Sequence, residues 1–340
     1  MLMQKLEDNF PMSKVTTLQI GGPAKKFTVV TTQEELIEAI QYAKAQQIPY
    51  LVIGGGSNLL VADEGVDFLI IKNETSGIHR HLPGEQRRHL EGAVALSVQS
   101  GTPLQELVDY AINHGLSGLQ KLSGIPGTVG GAVYGNAGAY GQTISDHIIS
   151  VVALNPSSVI PAKAGIYTNN LYGSRIKYGM TKQDCQFSYR DSIFKKTHDT
   201  ILEITFRLEP GDPKTLSEEA QEVLSKRLIK YPPGIKCPGS FFKNLVASEI
   251  PEEILKNIPP EKIVYGKLPA GALLEEVGAK GQSLDGIKIA DYHANLFINQ
   301  GTGTAKAFYD LAKTYVEKVK TKFGIILEPE VQLINLPPLI

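Results

Sequence analysis

Residues 124–141 read GIPGTVGGAVYGNAGAYG, and the interpretation of the chain starts from this stretch. It contains seven glycines and three alanines, with Ile125, Val129 and Val133 spaced among them. Glycine has no Cβ, so it allows left-handed turns and lets the backbone approach a ligand closely. The ordered spacing is unlike a flexible linker, and a glycine-rich structural loop is the alternative. We therefore predict ligand-binding backbone here.

A second glycine string, GGGSNLL at residues 54–60, follows the short apolar run YLVI. A dinucleotide-binding fingerprint would need glycine at Leu59 and a following helix, but VADEGVDFLIIK is typical of a turn and a strand. No Lys-Ser/Thr pair follows, which excludes a P-loop. What remains is a tight turn whose N–H groups, with Ser57 and Asn58, can face a phosphate, or a plain hairpin turn.

The composition narrows the class of protein. A chain of 340 residues can bury a large core in two or three lobes. With 34 basic and 35 acidic residues the net charge is −1, so neither nucleic acid nor an anionic membrane is an expected partner. No apolar run approaches the roughly 20 residues of a membrane-spanning helix, and the N-terminus does not resemble a signal peptide.

Cys185 and Cys237 show neither CxxC spacing nor a disulfide framework. A reducing, cytoplasmic setting is therefore expected, with a monomer as the default. No cluster has metal-ligand spacing, so no metal is expected.

Helix and strand signals alternate irregularly along the chain. Thr32 and Glu35 form a capping-box pattern, and 304–324 shows the longest helical periodicity. EPGDPK at 209–214 is typical of a linker and predicts a domain boundary near 209–216. Because strands and helices do not follow strict βαβ order, an α+β fold is predicted.

Three further motifs are FSYRDSIFK (187–195), GSFFKN (239–244) and LEPEV (327–331). Together with the two glycine strings, and collinear over most of the chain, they resemble the UDP-N-acetylenolpyruvoylglucosamine reductase family. This is a family of flavoproteins, also called UDP-N-acetylmuramate dehydrogenases, that make UDP-N-acetylmuramate for bacterial peptidoglycan.

The resemblance implies a two-lobed FAD-binding domain of the vanillyl-alcohol-oxidase (PCMH) type at 1–210, with lobes at about 1–85 and 86–210. A C-terminal α+β substrate-binding domain would follow at 215–335. Non-covalent FAD would contact both glycine strings. The implied contacts are Gly54, Gly55, Gly56, Ser57, Asn58, Leu59, Ser123, Gly124, Ile125, Pro126, Gly127, Gly130, Gly131, Asn136, Gly138 and Ala139.

The implied reaction passes a hydride from NADPH to FAD and then to C3 of the enolpyruvyl group of UDP-N-acetylglucosamine enolpyruvate, with a proton added at C2. Charge then develops on the substrate carboxylate, so a cation and a proton donor are needed. The resemblance assigns the cation to Arg190 and the proton donor to Ser240. Glu330 is the third catalytic residue, acting in its protonated form as donor or orienter.

The residues alone leave alternatives for each of these assignments. Arg190 could form a surface pair with Asp191, Ser240 could cap a helix, and Glu328 competes with Glu330. Glu330 could also be an exposed strand residue.

The remaining implied substrate contacts are Tyr189, Lys243, Asn244 and His293. Lys243 and Asn244 are also candidates to tune the Ser240 hydroxyl. A single histidine such as His293 is more often structural than a ligand contact.

The chain departs from the family pattern in three places. Residues near 157–180 exceed the short hairpin of the family and are interpreted as an inserted surface excursion. Leu245 stands where relatives commonly have proline. The chain lacks a long loop after YRDS, which indicates the second, shorter subclass. An FAD-dependent oxidase of the same fold and a flavin-binding protein without turnover are the competing interpretations.

Overall fold

A computed structural model describes residues 6–81, 92–155, 176–256 and 258–339. The helices there are α1 Gln33–Ala45, α2 Leu104–Asn113, α3 Val129–Tyr134, α4 Phe194–Thr197, α5 Pro213–Lys230, α6 Glu252–Leu255, α7 Ala270–Glu276 and α8 Ala305–Phe323. Short 3-10 helices lie at Met12–Lys14, Gln120–Leu122, Ile144–His147, Ala247–Glu249 and Pro260–Lys262.

The strands are short, and many contain only two or three residues. They are β1 Glu7–Pro11, β2 Pro23–Val30, β3 Tyr50–Ile53, β4 Leu59–Val61, β5 Val66–Asn73, β6 Ile78–Arg80, β7 Val94–Gln99, β8 Leu116–Ser117, β9 Gly138–Ala139, β10 Gln142–Thr143, β11 Ile148–Leu154, β12 Ile176–Thr181, β13 Thr200–Pro210, β14 Leu245–Val246, β15 Lys267–Leu268, β16 Ser283–Leu284, β17 Ile287–Ala290, β18 His293–Asn299 and β19 Gln332–Ile334.

The chain divides into two compact units. Unit 1 comprises the described residues of Met1–Asp8, Lys26–Gly55 and Asp67–Ile229. Unit 2 comprises those of Asn9–Lys25, Gly56–Val66 and Lys230–Ile340.

This division differs from the predicted ranges 1–210 and 215–335. EPGDPK is the end of β13 and the start of α5, not a linker, because only two residues separate these elements. Leu216 and Ala220 of α5 pack in the core of unit 1. The division therefore falls after Ile229.

The larger sheet of unit 1 has the order β12-β11-β13-β7-β6, with β8 also paired to β13, and all of these pairings are antiparallel. A second sheet has the order β1-β2-β5-β3, in which β3 and β5 run parallel. Thr32 caps α1 as predicted, accepting from the Glu35 N–H at 3.2 Å. The Glu35 carboxylate accepts from the Thr31 N–H, one residue earlier than an ideal capping box.

The predicted insertion near 157–180 lies largely outside the described residues. Its last residues are not part of a loop, because β12 begins at Ile176 and pairs antiparallel with β11. The second strand of a hairpin therefore starts within the range that we had interpreted as an excursion.

The core of unit 2 contains four packed phenylalanines. Phe241, Phe242, Phe297 and Phe308 are at most 1% exposed, and the ring centroids of contacting pairs are 4.7–6.1 Å apart. The helical periodicity of 304–324 predicts one apolar face on α8, and its residues are buried here: Ala307, Phe308, Leu311, Tyr315 and Val319. Phe241 and Phe242 thus anchor GSFFKN in the core, and the polar residues of the motif lie on either side of them in the sequence.

The C-terminal segment forms less strand than its sequence suggested. The apolar run IILEPEVQLI at 325–334 predicts a strand pair or a bent strand around Pro329, but only an isolated bridge from Pro329 to Phe242 and the short β19 form. Proline has no N–H to continue a ladder. Strand β19 pairs in parallel with β4, which brings 56–66 into unit 2.

Among the described residues, no helix has both the length and the apolar character needed to cross a membrane. In the same part of the chain, no group of three or more His, Cys, Asp or Glu residues is placed to hold a metal ion.

Candidate functional site

The two glycine strings lie in close contact in unit 1. A Cβ on Gly54 would lie 2.3 Å from the Thr128 Oγ1, and a Cβ on Gly55 would lie 3.0 Å from the Gly127 Cα. Thr128 caps α3 by accepting from the Gly131 N–H at 3.3 Å. A side chain on either glycine would push the strings apart, so close approach explains these residues.

Several predicted FAD contacts also hold the loop in shape. The Ser123 hydroxyl is buried and donates to the Gln120 carbonyl at 2.8 Å. The Gly124 N–H donates to the Gln105 side chain at 2.7 Å. The assignment of the individual residues to FAD stays a prediction.

The end of GGGSNLL belongs to unit 2 and contacts LEPEV. The Asn58 amide donates to the Glu330 carbonyl at 3.1 Å, and the Asn58 carbonyl accepts from the Gln332 N–H at 3.0 Å. Leu59 pairs with Gln332 in the β4–β19 ladder. Asn58, predicted to contact the cofactor, therefore also fixes the backbone of Glu330.

Ser240 has a cationic and a phenolic neighbour. Its half-buried Oγ accepts from the Lys230 ammonium at 3.2 Å and lies 3.3 Å from the Tyr231 hydroxyl. Neither neighbour was predicted from the sequence. The signal was present in KYPPG at 230–234, since two prolines end α5 and redirect the chain toward Ser240.

The residues predicted to tune Ser240 have other partners. The Lys243 ammonium pairs with the Glu328 carboxylate at 3.2 Å. The Asn244 side-chain oxygen accepts from the Ala270 N–H at the start of α7, at 3.2 Å. Lys230 and Tyr231 lie at the Ser240 hydroxyl, and the roles of Lys243 and Asn244 toward Ser240 and the substrate stay predictions.

The segments that carry Ser240 and Glu330 lie side by side in unit 2. The Glu330 N–H donates to the carbonyl of Phe241, the residue after Ser240, at 2.7 Å. The Lys243 N–H donates to the Glu328 carbonyl at 2.9 Å. The competing Glu328 side chain is 71% exposed and paired with Lys243, whereas Glu330 is half-buried, which favours Glu330 as the functional carboxylate.

His293 has the environment of a structural histidine. Its Nδ1 accepts from the Asn295 N–H at 3.2 Å. Burial, with a further contribution from the Lys230 ammonium, lowers the pKa of His293 from 6.5 to about 4, so the ring is neutral at pH 7. Its contact with substrate stays a prediction.

Asn295 is 2% exposed and supports the backbone of GSFFKN. Its amide accepts from the Phe242 N–H and donates to the Phe242 carbonyl, both at 2.8 Å. This pairing imitates a strand ladder and fixes the segment that follows Ser240.

Arg190 lies in unit 1, in a tight turn closed by two hydrogen bonds between Ser188 and Asp191. Its Nη2 donates to the Gly138 carbonyl at 2.9 Å, and its guanidinium lies 5.3 Å from the centre of the Tyr189 ring. The glycine-rich string is therefore a partner of this guanidinium.

Comparison with known proteins gives two family matches. Residues 24–163 match the family model of an FAD binding domain, and residues 232–334 match that of the UDP-N-acetylenolpyruvoylglucosamine reductase C-terminal domain.

Full-length relatives are also similar. The UDP-N-acetylenolpyruvoylglucosamine reductase of Solibacter usitatus is 37% identical over 96% of this chain and 95% of its own length. That of Streptococcus pyogenes serotype M12 is 32% identical over 97% and 96%. The crystal structure of the Thermus caldophilus reductase superposes with a TM-score of 0.65 at 29% identity, covering 95% of this chain and 97% of that one. The resemblance drawn from the motifs and the α+β fold are confirmed.

The described residues fit an FAD cofactor. At the junction of the strings, Gly55 lies against the Gly127 backbone and Gly54 lies against the capping side chain of Thr128, so neither position has room for a side chain of its own. Near it in sequence, the buried Oδ1 of Asn136 has no hydrogen-bond partner among the described residues. A buried acceptor of this kind calls for a donor, which a bound flavin or substrate can supply.

Proposed function

Since the chain belongs to the UDP-N-acetylenolpyruvoylglucosamine reductase family, we propose that it reduces UDP-N-acetylglucosamine enolpyruvate to UDP-N-acetylmuramate with NADPH, for peptidoglycan synthesis. FAD, when bound, would carry the hydride from NADPH to C3 of the enolpyruvyl group. The observation that carries the proposal is the Ser240 hydroxyl beside the Lys230 ammonium, on a segment paired with that of Glu330.

Ser240 would donate the proton to C2. A serine hydroxyl is a weak acid, so the charge left on Oγ needs stabilisation. The Lys230 ammonium at 3.2 Å provides a charge-assisted hydrogen bond to that oxygen. The Tyr231 hydroxyl at 3.3 Å provides a second donor. This pair supports a proton-donor role for Ser240.

Arg190 would act at the substrate carboxylate. The guanidinium is always charged and binds carboxylates in a fork, so it can stabilise the enolate-like charge. Glu330, with its backbone fixed by Phe241 and Asn58, would act in protonated form as donor or orienter.

Flavin spectroscopy tests the function directly. Under anaerobic conditions NADPH should bleach the flavin of the purified protein, and UDP-N-acetylglucosamine enolpyruvate should restore it with formation of UDP-N-acetylmuramate, detected by mass spectrometry. Rapid reoxidation by O₂ together with no response to the enolpyruvyl substrate would identify an oxidase instead. A flavin that stays bleached with substrate would identify a binding protein without turnover.

The Ser240→Ala variant tests the proton donor. NADPH should still reduce its flavin, because that step needs no proton at C2. Reoxidation by the enolpyruvyl substrate should slow by about 10²- to 10⁴-fold, the usual contribution of a general acid. Ser248→Ala, at an exposed serine of the same unit, is the control. Full turnover by Ser240→Ala would exclude Ser240 as the donor.

A further inference from the structure

The turn that carries Arg190 is attached to the glycine-rich string at three points, all in unit 1. Asn136 donates from Nδ2 to the Ser188 carbonyl at 2.8 Å. Arg190 donates to the Gly138 carbonyl at 2.9 Å. Just after the turn, the Ser192 hydroxyl donates to the Tyr134 carbonyl at 2.7 Å. A stretch predicted to bind cofactor is thus also the support of the Arg190 turn.

Two of the residues that form these bonds have backbone dihedral angles in the left-handed region, which is unfavourable for residues other than glycine. Arg190 has φ +56° and Asn136 has φ +42°. Non-glycine residues rarely adopt the left-handed region, and such conformations persist where the surroundings over-determine them. The two Ser188–Asp191 hydrogen bonds fix the conformation of the turn, and the Asn136 amide fixes the position of its first residue, Ser188.

Asn136 is 4% exposed, so its amide cannot exchange partners with water. Its Nδ2 is committed to Ser188, two residues before Arg190. Gly138, the guanidinium acceptor, lies two residues after Asn136. The Asn136–Ser188 bond therefore sets the separation between the start of the turn and the carbonyl that orients the guanidinium.

We propose that Asn136 is a positioning residue for Arg190. It holds the turn at the distance at which the guanidinium reaches Gly138 and faces the substrate carboxylate. The inference rests on the proposed function of Arg190. It goes beyond a cofactor contact, since it assigns the Asn136 amide to the step that uses the substrate.

The test is Asn136→Ala in the full-length holoenzyme, with the two half-reactions measured separately. Flavin reoxidation by the enolpyruvyl substrate should slow by about 10- to 100-fold, the effect of misplacing a reacting group by about 1 Å. Both half-reactions are measured with FAD in excess and below the unfolding temperature of the variant, so that a weaker hold on the cofactor or a lower stability does not enter the comparison. Flavin reduction by NADPH should then slow far less than reoxidation.

Asn335→Ala is the matched control. Asn335 also has a positive φ, +55°, and its Nδ2 donates to a backbone carbonyl, that of Gly65, at the same 2.8 Å. The control loses the same kind of bond but belongs to unit 2, whereas the Arg190 turn belongs to unit 1. Its half-reactions should both match those of wild type.

Ser192→Ala keeps the test decisive if Asn136→Ala folds poorly. It removes a neighbouring bond between the same two segments and should give the same split between half-reactions, to a smaller extent. Equal losses in both half-reactions together with lost FAD would assign Asn136 to the cofactor and overturn the proposal, as would wild-type rates in Asn136→Ala. If the wild-type protein showed no turnover, that result would instead contradict the proposed function itself.

Discussion

At the scale of single residues, Ser240 depends on its neighbours for its chemistry. An isolated serine hydroxyl gives up its proton with difficulty, and the ammonium of Lys230, ten residues earlier, lies 3.2 Å from the Ser240 Oγ. The hydroxyl of Tyr292 donates to the Lys230 carbonyl at 3.0 Å and so fixes the backbone of that lysine. The proposed acid is thus a small cluster in unit 2, not one side chain.

The two cysteines have no comparable activation. Burial raises the pKa of Cys185 to about 12, and it also raises the pKa of Cys237. Both thiols are free and stay protonated at neutral pH. They behave as small apolar core residues.

His293 should make stability depend on pH. Its pKa is about 4 in the folded protein and 6.5 when unfolded, so between these values the unfolded chain binds a proton that the folded chain does not. The free energy of unfolding should therefore fall as the pH drops from 6.5 to 4, by at most about 1.4 kcal/mol per pH unit and by less where solvent screens the ring.

The measurement compares wild type with His293→Gln by denaturant unfolding from pH 7.5 to pH 4. The stability of wild type relative to the variant should decrease below pH 6.5. It should be constant above pH 7, which is the internal control. A difference that does not change with pH would contradict the predicted role of burial.

At the scale of elements, α8 is capped by a distant carboxylate. Asp63 accepts from the N–H groups of Ala305 and Lys306, both at 2.8 Å, and Thr304 accepts from the Ala307 N–H at 3.1 Å. A carboxylate at a helix N-terminus gains both hydrogen bonds and a favourable dipole interaction. The segment that contains β4 is thereby tied to α8 within unit 2.

We expect Asp63→Ala to lower the free energy of unfolding by about 1–2 kcal/mol, because two N–H donors lose their acceptor. Asp310→Ala, which breaks a surface ion pair with Lys306 on the same helix, is the control and should change it by less than about 0.5 kcal/mol. Urea unfolding of both variants checks that Asp63→Ala loses more free energy of unfolding than Asp310→Ala. An Asp63→Ala protein as stable as the control would show that the cap does not stabilise α8.

Elements with strong local signals could be predicted from the sequence. The predicted apolar face of α8 is buried, and its first cap, Thr304, and its last, Gly324 at φ +69°, match the predicted limits of 304–324. EPGDPK was misinterpreted because Pro and Gly mark both linkers and the junction of a strand with a helix. Only the packing of α5 against unit 1 distinguishes the two.

At the scale of the whole molecule, the two units differ in how they use the chain. Unit 1 draws most of its residues from the nearly continuous range 26–229. Unit 2 needs three separate segments, because Leu18, Ile20 and Leu60 are buried in its main core and β4 pairs with β19.

This difference predicts how fragments behave. A fragment of residues 230–340 should lack a cooperative thermal transition, because its core would be left with cavities and β19 without a partner. A fragment of residues 26–229, as the matched comparison, should unfold cooperatively. Thermal unfolding of both fragments, followed by circular dichroism, shows whether each has a cooperative transition. A sharp transition in 230–340 would show that the two N-terminal segments are dispensable for unit 2.

The sequence by itself determined the family, the α+β class and the FAD cofactor. Each rests on local motifs, such as glycines that stand where a Cβ has no room. Only the tertiary structure decided which groups surround the motif residues. Lys230 reaches Ser240 across a proline turn, Asn58 holds Glu330 from 272 residues away, and Asn136 holds the start of the Arg190 turn. Hydrogen bonds of this range depend on how segments pack, and spacing along the chain does not encode them.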